Sequence, residues 1–200
     1  TGWTRWAPDV ADDSGRVLEF VEKPAPGTEP TNLINAGTYV MEPSVLDRID
    51  DGRKVSVERE TFPALAADGT LFAVSTDDYW IDAGTPVAYL QASLDLIDGS
   101  RSSEQSVHPT AQVASGAKVV RSIVGAGASV AEGAVVEDSL LMAGSTVGSE
   151  ASVVGSIVGQ AAEVGAGARV IDGSVIGHRE KVASGAEIAG ATVPDPSTWQ

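Results

Sequence analysis

The side chains that could do chemistry in this chain are few and scattered. Cysteine is absent, which removes thiolate nucleophiles, disulfides and Cys-based metal sites. His108 and His178 are the two histidines and the candidate bases. Three short polar clusters stand in the first half: Glu22-Lys23, Asn35-Ala36-Gly37 and Asp82-Ala83-Gly84. Taken singly, each has an ordinary explanation. Exposed Glu–Lys neighbours are common and weak. An asparagine can satisfy buried backbone groups, and an aspartate before Ala-Gly can shape a turn. A lone histidine is more often structural than catalytic. Gly2-Trp3-Thr4-Arg5 touches the G-T-R of a phosphate loop, but it lacks a second glycine and a preceding strand, so it reads as coincidence.

Composition narrows the classes. The 200 residues allow one or two domains. The 28 acidic residues against 13 basic ones give a formal net charge of −15, which repels nucleic-acid phosphates and argues against a nucleic-acid partner. Phosphorylated small molecules stay open, because a site needs only local positive charge. No apolar run approaches the roughly 20 residues of a membrane span, and no signal-peptide pattern is present. A soluble, cytoplasmic protein is expected.

The elements that would position these residues differ between the halves. From Val107 onward, aliphatics recur at a spacing of six within triplets. The triplets are Val107, Val113, Val119; Val124, Val130, Val136; Leu141, Val147, Val153; Val158, Val164, Val170; and Ile176, Val182, Ile188. Between triplets the spacing is five, except from Val170 to Ile176, where it is six. Coils therefore start every 17 residues, with the fifth starting 18 after the fourth. The residue two before each aliphatic is Ala or Ser, apart from Gln105 and Glu180. A three-sided coil explains both facts: one aliphatic per side points inward, and a small residue lets the chain turn the corner. Such repeats bury a continuous core only by stacking.

The first half alternates strand and helix patterns. Residues 16–22 read as a strand, 24–30 as a Pro/Gly loop and 33–41 as a buried strand. Residues 43–49 read as a short helix, and 57–67 as a helix interrupted by Pro63. Residues 71–75 and 79–81 read as short strands. Residues 85–97 form an amphipathic helix with Thr85 as N-cap and Pro86 at its first position. That helix is placed to cap the first coil, and residues 193–200, with two prolines, to close the last. The division expected is 1–98, a linker at 99–106, the β-helix at 107–193 and a tail at 194–200.

Four segments of the first half carry a resemblance: EFVEKP (19–24), NAG (35–37), VERETFPAL (57–65) and WIDAGTP (80–86). In this order and approximate spacing they are similar to the C-terminal part of the sugar-1-phosphate nucleotidylyltransferases. The 17-residue register resembles the left-handed β-helix of hexapeptide-repeat proteins, which follows the catalytic domain in one branch of that family. The fold implied is α/β, a partial Rossmann-like nucleotidyltransferase domain, followed by a left-handed parallel β-helix. Within the family, SVERETFPAL and the hexapeptide tail are most similar to mannose-1-phosphate guanylyltransferases. The G-x-G-T-R-L loop, the Pro-Lys-Pro and the mid-domain Mg²⁺-binding Asp of the family have no counterpart here. The resemblance thus implies a chain that starts inside the nucleotidyltransferase domain, holds no catalytic residue of its own and is inactive alone.

What the resemblance implies for the parent enzyme is nucleotidyl transfer from an NTP to a sugar 1-phosphate, giving NDP-sugar and pyrophosphate, with GTP and mannose 1-phosphate the favoured pair. It assigns Lys23 to the sugar phosphate, where a flexible point cation suits a phosphate oxygen. Glu22 would accept from sugar hydroxyls, and Asn35 would add a donor and an acceptor. Gly37 would let the backbone approach the sugar. Asp82 would bind Mg²⁺, a hard cation that prefers carboxylate oxygen. Two alternatives follow from relatives: a regulatory or oligomerisation module, and a hexapeptide acyltransferase using His108 or His178. The exposed strand edges of the β-helix invite a homo-oligomer.

Overall fold

A computed structural model describes residues 9–20, 25, 27, 35–102 and 104–198. They form two compact units, Thr1–Trp80 and Ile81–Gln200.

In the first unit, β1 (Asp9–Ala11) and β2 (Val17–Phe20) make an antiparallel hairpin. Its turn is organised by one carboxylate. Asp12 Oδ1 accepts from the Ser14 hydroxyl at 2.6 Å, the Ser14 N–H at 2.9 Å and the Arg16 N–H at 3.1 Å. These donors, the Ser14 hydroxyl first, hold the Asp12 carboxyl down to about 2. A carboxyl lowered on folding stabilises the fold fully above about pH 4 and loses that contribution as pH falls through the folded value. Carbon NMR of Asp12 is expected to give a midpoint near 2; an ordinary midpoint near 4 would show that the turn is not held this way.

A 3-10 helix (Pro43–Arg48) and a single π-helical turn (Val57–Thr61) lead into α1 (Phe62–Ala67). Ser56 caps the π turn by accepting from the Arg59 N–H at 3.3 Å. Pro63, which cannot donate, falls in the first turn of α1, where its missing N–H costs least. The core is Val17, Phe20, Phe62, Leu65 and Ala66.

The expected strands at 33–41, 71–75 and 79–81 differ from the structure. Residues 33 and 34 lie outside the described residues. Residues 35–41 are irregular and mostly exposed, with Val40 wholly so. Residues 71–73 touch the hairpin through a single bridge, Arg16 to Phe72, and residues 79–81 join no ladder. The physical reason is partnership: a strand exists only with a neighbour to take its backbone groups. Among the described residues of this unit only β1 and β2 form a ladder.

The second unit holds a β-helix of three parallel five-stranded sheets. The first sheet stacks Gln112–Val113, Ser129–Val130, Thr146–Val147, Glu163–Val164 and Lys181–Val182. The second stacks Lys118–Val120, Val135–Glu137, Ser152–Val154, Arg169–Ile171 and Glu187–Ala189. The third stacks Ile123–Val124, Leu140–Leu141, Ile157–Val158, Val175–Ile176 and Thr192–Val193. Every inward aliphatic of the sequence pattern lies in one of three registered columns, Val107 through its bridge to Val124. Those of the middle coils are buried, while at the two ends Val107, Val119 and Ile188 are partly covered and Val113 is exposed. Val193 extends the third column by one more residue, paired with Ile176.

The corners explain the small residues. Ser122, Ser139, Ser156 and Ser174, all at the corner entering the third sheet, are buried. Ser139 Oγ donates to the Glu137 carbonyl at 2.7 Å and accepts from the Ser156 N–H, one coil on, at 3.1 Å. Ser122 does the same for the Ser139 N–H at 3.0 Å, and Ser174 for the Ala191 N–H at 3.3 Å. The hydroxyls thus tie adjacent coils where the sheet ladder is interrupted. Ser139→Ala strands the buried Ser156 N–H and is expected to cost about 1–3 kcal/mol in urea unfolding; an unchanged midpoint would refute the ladder's role. The same corner carries the extra residue of the 18-residue step. Arg121, Asp138 and Gly155 each turn it with one left-handed residue, whereas the fourth coil uses two, Asp172 and Gly173.

Helix α2 (Pro86–Asp95) begins as expected, with Thr85 Oγ1 accepting from the Ala88 N–H at 3.2 Å. Its placement corrects the sequence reading, which set it over the first coil's end. Leu90 and Leu94 pack instead on the outer face of the third sheet, against Leu140 and Ile157 and flanked by Ile123, Met142 and Val175. The cause is visible one residue before each inward aliphatic. On the third sheet those outward residues are Ile123, Leu140, Ile157 and Val175, an apolar stripe that water would otherwise wet. On the first sheet they are polar: Gln112, Ser129, Thr146, Glu163 and Lys181.

Candidate functional site

Glu22 and Lys23 lie outside the described residues. Asn35 and Gly37 are in the first unit, in a turn built by the asparagine itself. Asn35 Oδ1 accepts from the Gly37 N–H at 3.0 Å, and Gly37 takes φ +71°, a conformation that glycine adopts without strain. Asn35 Nδ2 donates to Tyr39 Oη at 2.7 Å. From the far end of the unit, the Trp80 indole N–H donates to the Ala36 carbonyl at 3.2 Å. Tyr39 sits edge-on to Phe62, ring centroids 4.8 Å apart, and Phe62 meets Phe20 at 5.1 Å. The turn is therefore tied to the aromatic core. Among the described residues, one Nδ2 hydrogen and one Oδ1 lone pair of Asn35 take no further partner.

Asp82 belongs to the second unit, just ahead of α2. Its Oδ1 accepts from the Gly84 N–H at 2.9 Å. A side chain on Gly84 would start 3.0 Å from that oxygen, so glycine lets the carboxylate fold back over the turn. Asp82 is exposed, and its Oδ2 takes no hydrogen bond from the described residues. One free carboxylate oxygen suits Mg²⁺, which usually keeps several waters and takes one or two carboxylates plus substrate phosphates. Among the described residues no three His, Asp or Glu side chains gather to form a complete protein cage. Asp82 thus fits as a single ligand.

Both histidines serve backbone. The Gln160 N–H donates to His178 Nδ1 at 2.9 Å, bridging neighbouring coils. His108 Nδ1 accepts from the Thr110 N–H at 3.2 Å. Sequence reading missed Tyr39 and Trp80 as partners of the NAG turn. The only signal was an aromatic four residues after Asn35, in a segment with no helical period.

The class the fold defines is a small α/β segment followed in the chain by a parallel β-helix. The comparisons agree. Residues 9–99 match the family "Nucleotidyl transferase", and residues 102–197 match "GMPPB C-terminal domain". The two matches follow one another along the chain, the first over the α/β segment and the second over the β-helix. It is similar to the mannose-1-phosphate guanylyltransferase of Mycobacterium tuberculosis, 45% identical over 58% of this chain and 35% of that protein. It is 42% identical to the mannose-1-phosphate guanylyltransferase catalytic subunit beta of Dictyostelium discoideum, over 40% of this chain and 21% of the relative. A probable mannose-1-phosphate guanylyltransferase 1 of Oryza sativa subsp. japonica is 38% identical, over 58% and 30%. The chain spans between a fifth and about a third of the length of these curated relatives. A solved structure of a mutant GDP-perosamine N-acetyl transferase from Caulobacter crescentus covers 54% of this chain and 62% of its own at 24% identity. Its TM-score of 0.32 is too low to bear on fold or function. No helix among the described residues is long and apolar enough to cross a membrane.

Proposed function

We propose that the protein carrying this chain transfers a nucleotidyl group from GTP to mannose 1-phosphate, giving GDP-mannose and pyrophosphate. The observation that carries this reading is the adjacency, in one chain, of a nucleotidyl transferase match and a GMPPB C-terminal domain match. The relatives' names supply the substrate pair.

In this reaction a phosphate oxygen of the sugar 1-phosphate attacks the α-phosphorus of the triphosphate. One P–O bond forms, the bond to the β-phosphate breaks, and pyrophosphate leaves. Catalysis is positioning plus neutralisation of phosphate charge. Lys23 would meet the sugar phosphate, and Glu22 would accept from sugar hydroxyls. Asn35 would offer its remaining amide hydrogen, and Gly37 would let the backbone close on the sugar. Asp82 Oδ2 would hold Mg²⁺, which when bound supplies positive charge to the phosphates. The β-helix serves as scaffold and, through the strand edges at its ends, as the contact of a homo-oligomer. The reading places the protein in the cytoplasm, without nucleic-acid or membrane partners.

The test is pyrophosphate release by the full-length protein over a panel of nucleoside triphosphates and sugar 1-phosphates with Mg²⁺. GTP with mannose 1-phosphate is expected to give the highest kcat/KM. Release with no pair would overturn the reaction, and release with another pair would overturn the substrates.

A further inference from the structure

An asparagine serves a sugar only if its amide faces the right way. The donor and acceptor ends differ by a half-turn of the amide plane, and free in water the two settings are nearly equivalent. Here both ends are engaged on the protein side. Oδ1 takes the Gly37 N–H at 3.0 Å, and one Nδ2 hydrogen goes to Tyr39 Oη at 2.7 Å. A flipped amide would point NH₂ at the Gly37 N–H, donor against donor. The hydroxyl that completes the lock is itself held by a chain of rings. Tyr39 packs edge-on to Phe62 at 66°, and Phe62, only 2% exposed, packs edge-on to Phe20 at 65°. Trp80 pins the carbonyl of Ala36, in the middle of the turn, from 44 residues away.

We propose that Tyr39 is a positioning residue for sugar-phosphate binding: its hydroxyl, fixed by Phe62, sets the Asn35 amide so that the second Nδ2 hydrogen is presented to an oxygen of the bound sugar 1-phosphate. The proposal rests on the reading of Asn35 as a sugar contact. It assigns Asn35 a donor's role toward the ligand, so the group recognised is an acceptor oxygen. Trp80 acts on the same turn through the backbone.

Tyr39→Phe separates the hydroxyl from the ring, because phenylalanine keeps the edge contact with Phe62. In the full-length protein, calorimetry with mannose 1-phosphate is expected to show affinity weakened about 5- to 20-fold, the usual range for one lost hydrogen bond in a site. KM for mannose 1-phosphate should rise by a similar factor, while kcat, KM for GTP and the melting temperature stay near wild type. Asn35→Ala should weaken sugar-phosphate binding at least as much, and the double variant should be no worse than Asn35→Ala alone. Unchanged affinity in Tyr39→Phe, or losses that add in the double variant, would overturn the positioning role while leaving Asn35 as a contact. Unchanged affinity in Asn35→Ala would overturn the sugar-contact reading, and the proposal with it.

Discussion

Val147→Asp is expected to unfold the β-helix. Val147 is 2% exposed and stands at the middle of its inward column, between Val130 and Val164. No cation lines that column, which is aliphatic throughout, so an aspartate there is an unpaired buried charge. It either ionises at great cost or takes a proton and remains a poorly paired polar group. The valine's packing on both neighbouring coils is lost as well. We expect a loss of about 4 kcal/mol or more, against a total stability on the order of 5–15 kcal/mol for a natural domain. Stability in a stacked fold is a sum of coil and coil–coil terms, so damage in the middle breaks two interfaces at once. The control is Val113→Asp, the same change in the same column at its open end, where the valine is already 37% exposed. Circular dichroism melting should show Val147→Asp collapsed at temperatures where Val113→Asp remains folded. Equal behaviour of the two would mean that the columns do not carry the fold.

Asp82→Asn is expected to abolish most of the transfer reaction while leaving the fold alone. The asparagine oxygen can still accept from the Gly84 N–H, so the turn ahead of α2 keeps its shape. What disappears is the charge on a carboxylate whose Oδ2 takes no hydrogen bond from the described residues. On the proposed role of Asp82 as a Mg²⁺ ligand, its loss would forfeit several kcal/mol of charge stabilisation, so kcat/KM of the full-length protein should fall at least about 100-fold. The melting temperature should hold, because Asp82 is exposed and makes no ion pair among the described residues. Raising Mg²⁺ should recover part of the rate. A variant with wild-type kcat/KM at low Mg²⁺ would remove Asp82 from the site.

The β-helix was legible because its signal is simple and redundant. Fifteen aliphatics at fixed spacing define three columns, and the small residues before them mark the corners. Even the extra residue of the fourth coil was countable, although only the structure assigns it to Asp172-Gly173. The docking of α2 was legible in principle. Its stripe of Ile123, Leu140, Ile157 and Val175 emerges only when outward residues are sorted by side, whereas the inward rhythm draws attention first. The first unit was harder. Its strand patterns at 71–75 and 79–81 are genuine local preferences, but a ladder depends on partners that sequence alone does not provide. Asn35, Gly37 and Asp82 could be singled out by motif. That Asn35 is held by Tyr39, and that Gly84 makes room for the Asp82 carboxylate, depends on contacts with no periodicity to announce them.

The activity proposed for the full-length protein is nucleotidyl transfer, not the binding of nucleotide sugars without turnover that a regulatory relative would show. The reaction run backwards tests it most directly. The full-length protein is mixed with GDP-mannose, pyrophosphate and Mg²⁺ and followed by phosphorus NMR. GTP and mannose 1-phosphate are expected to appear, and to be lost in Asp82→Asn. Tight binding of GDP-mannose with no GTP formed at any enzyme concentration would contradict it.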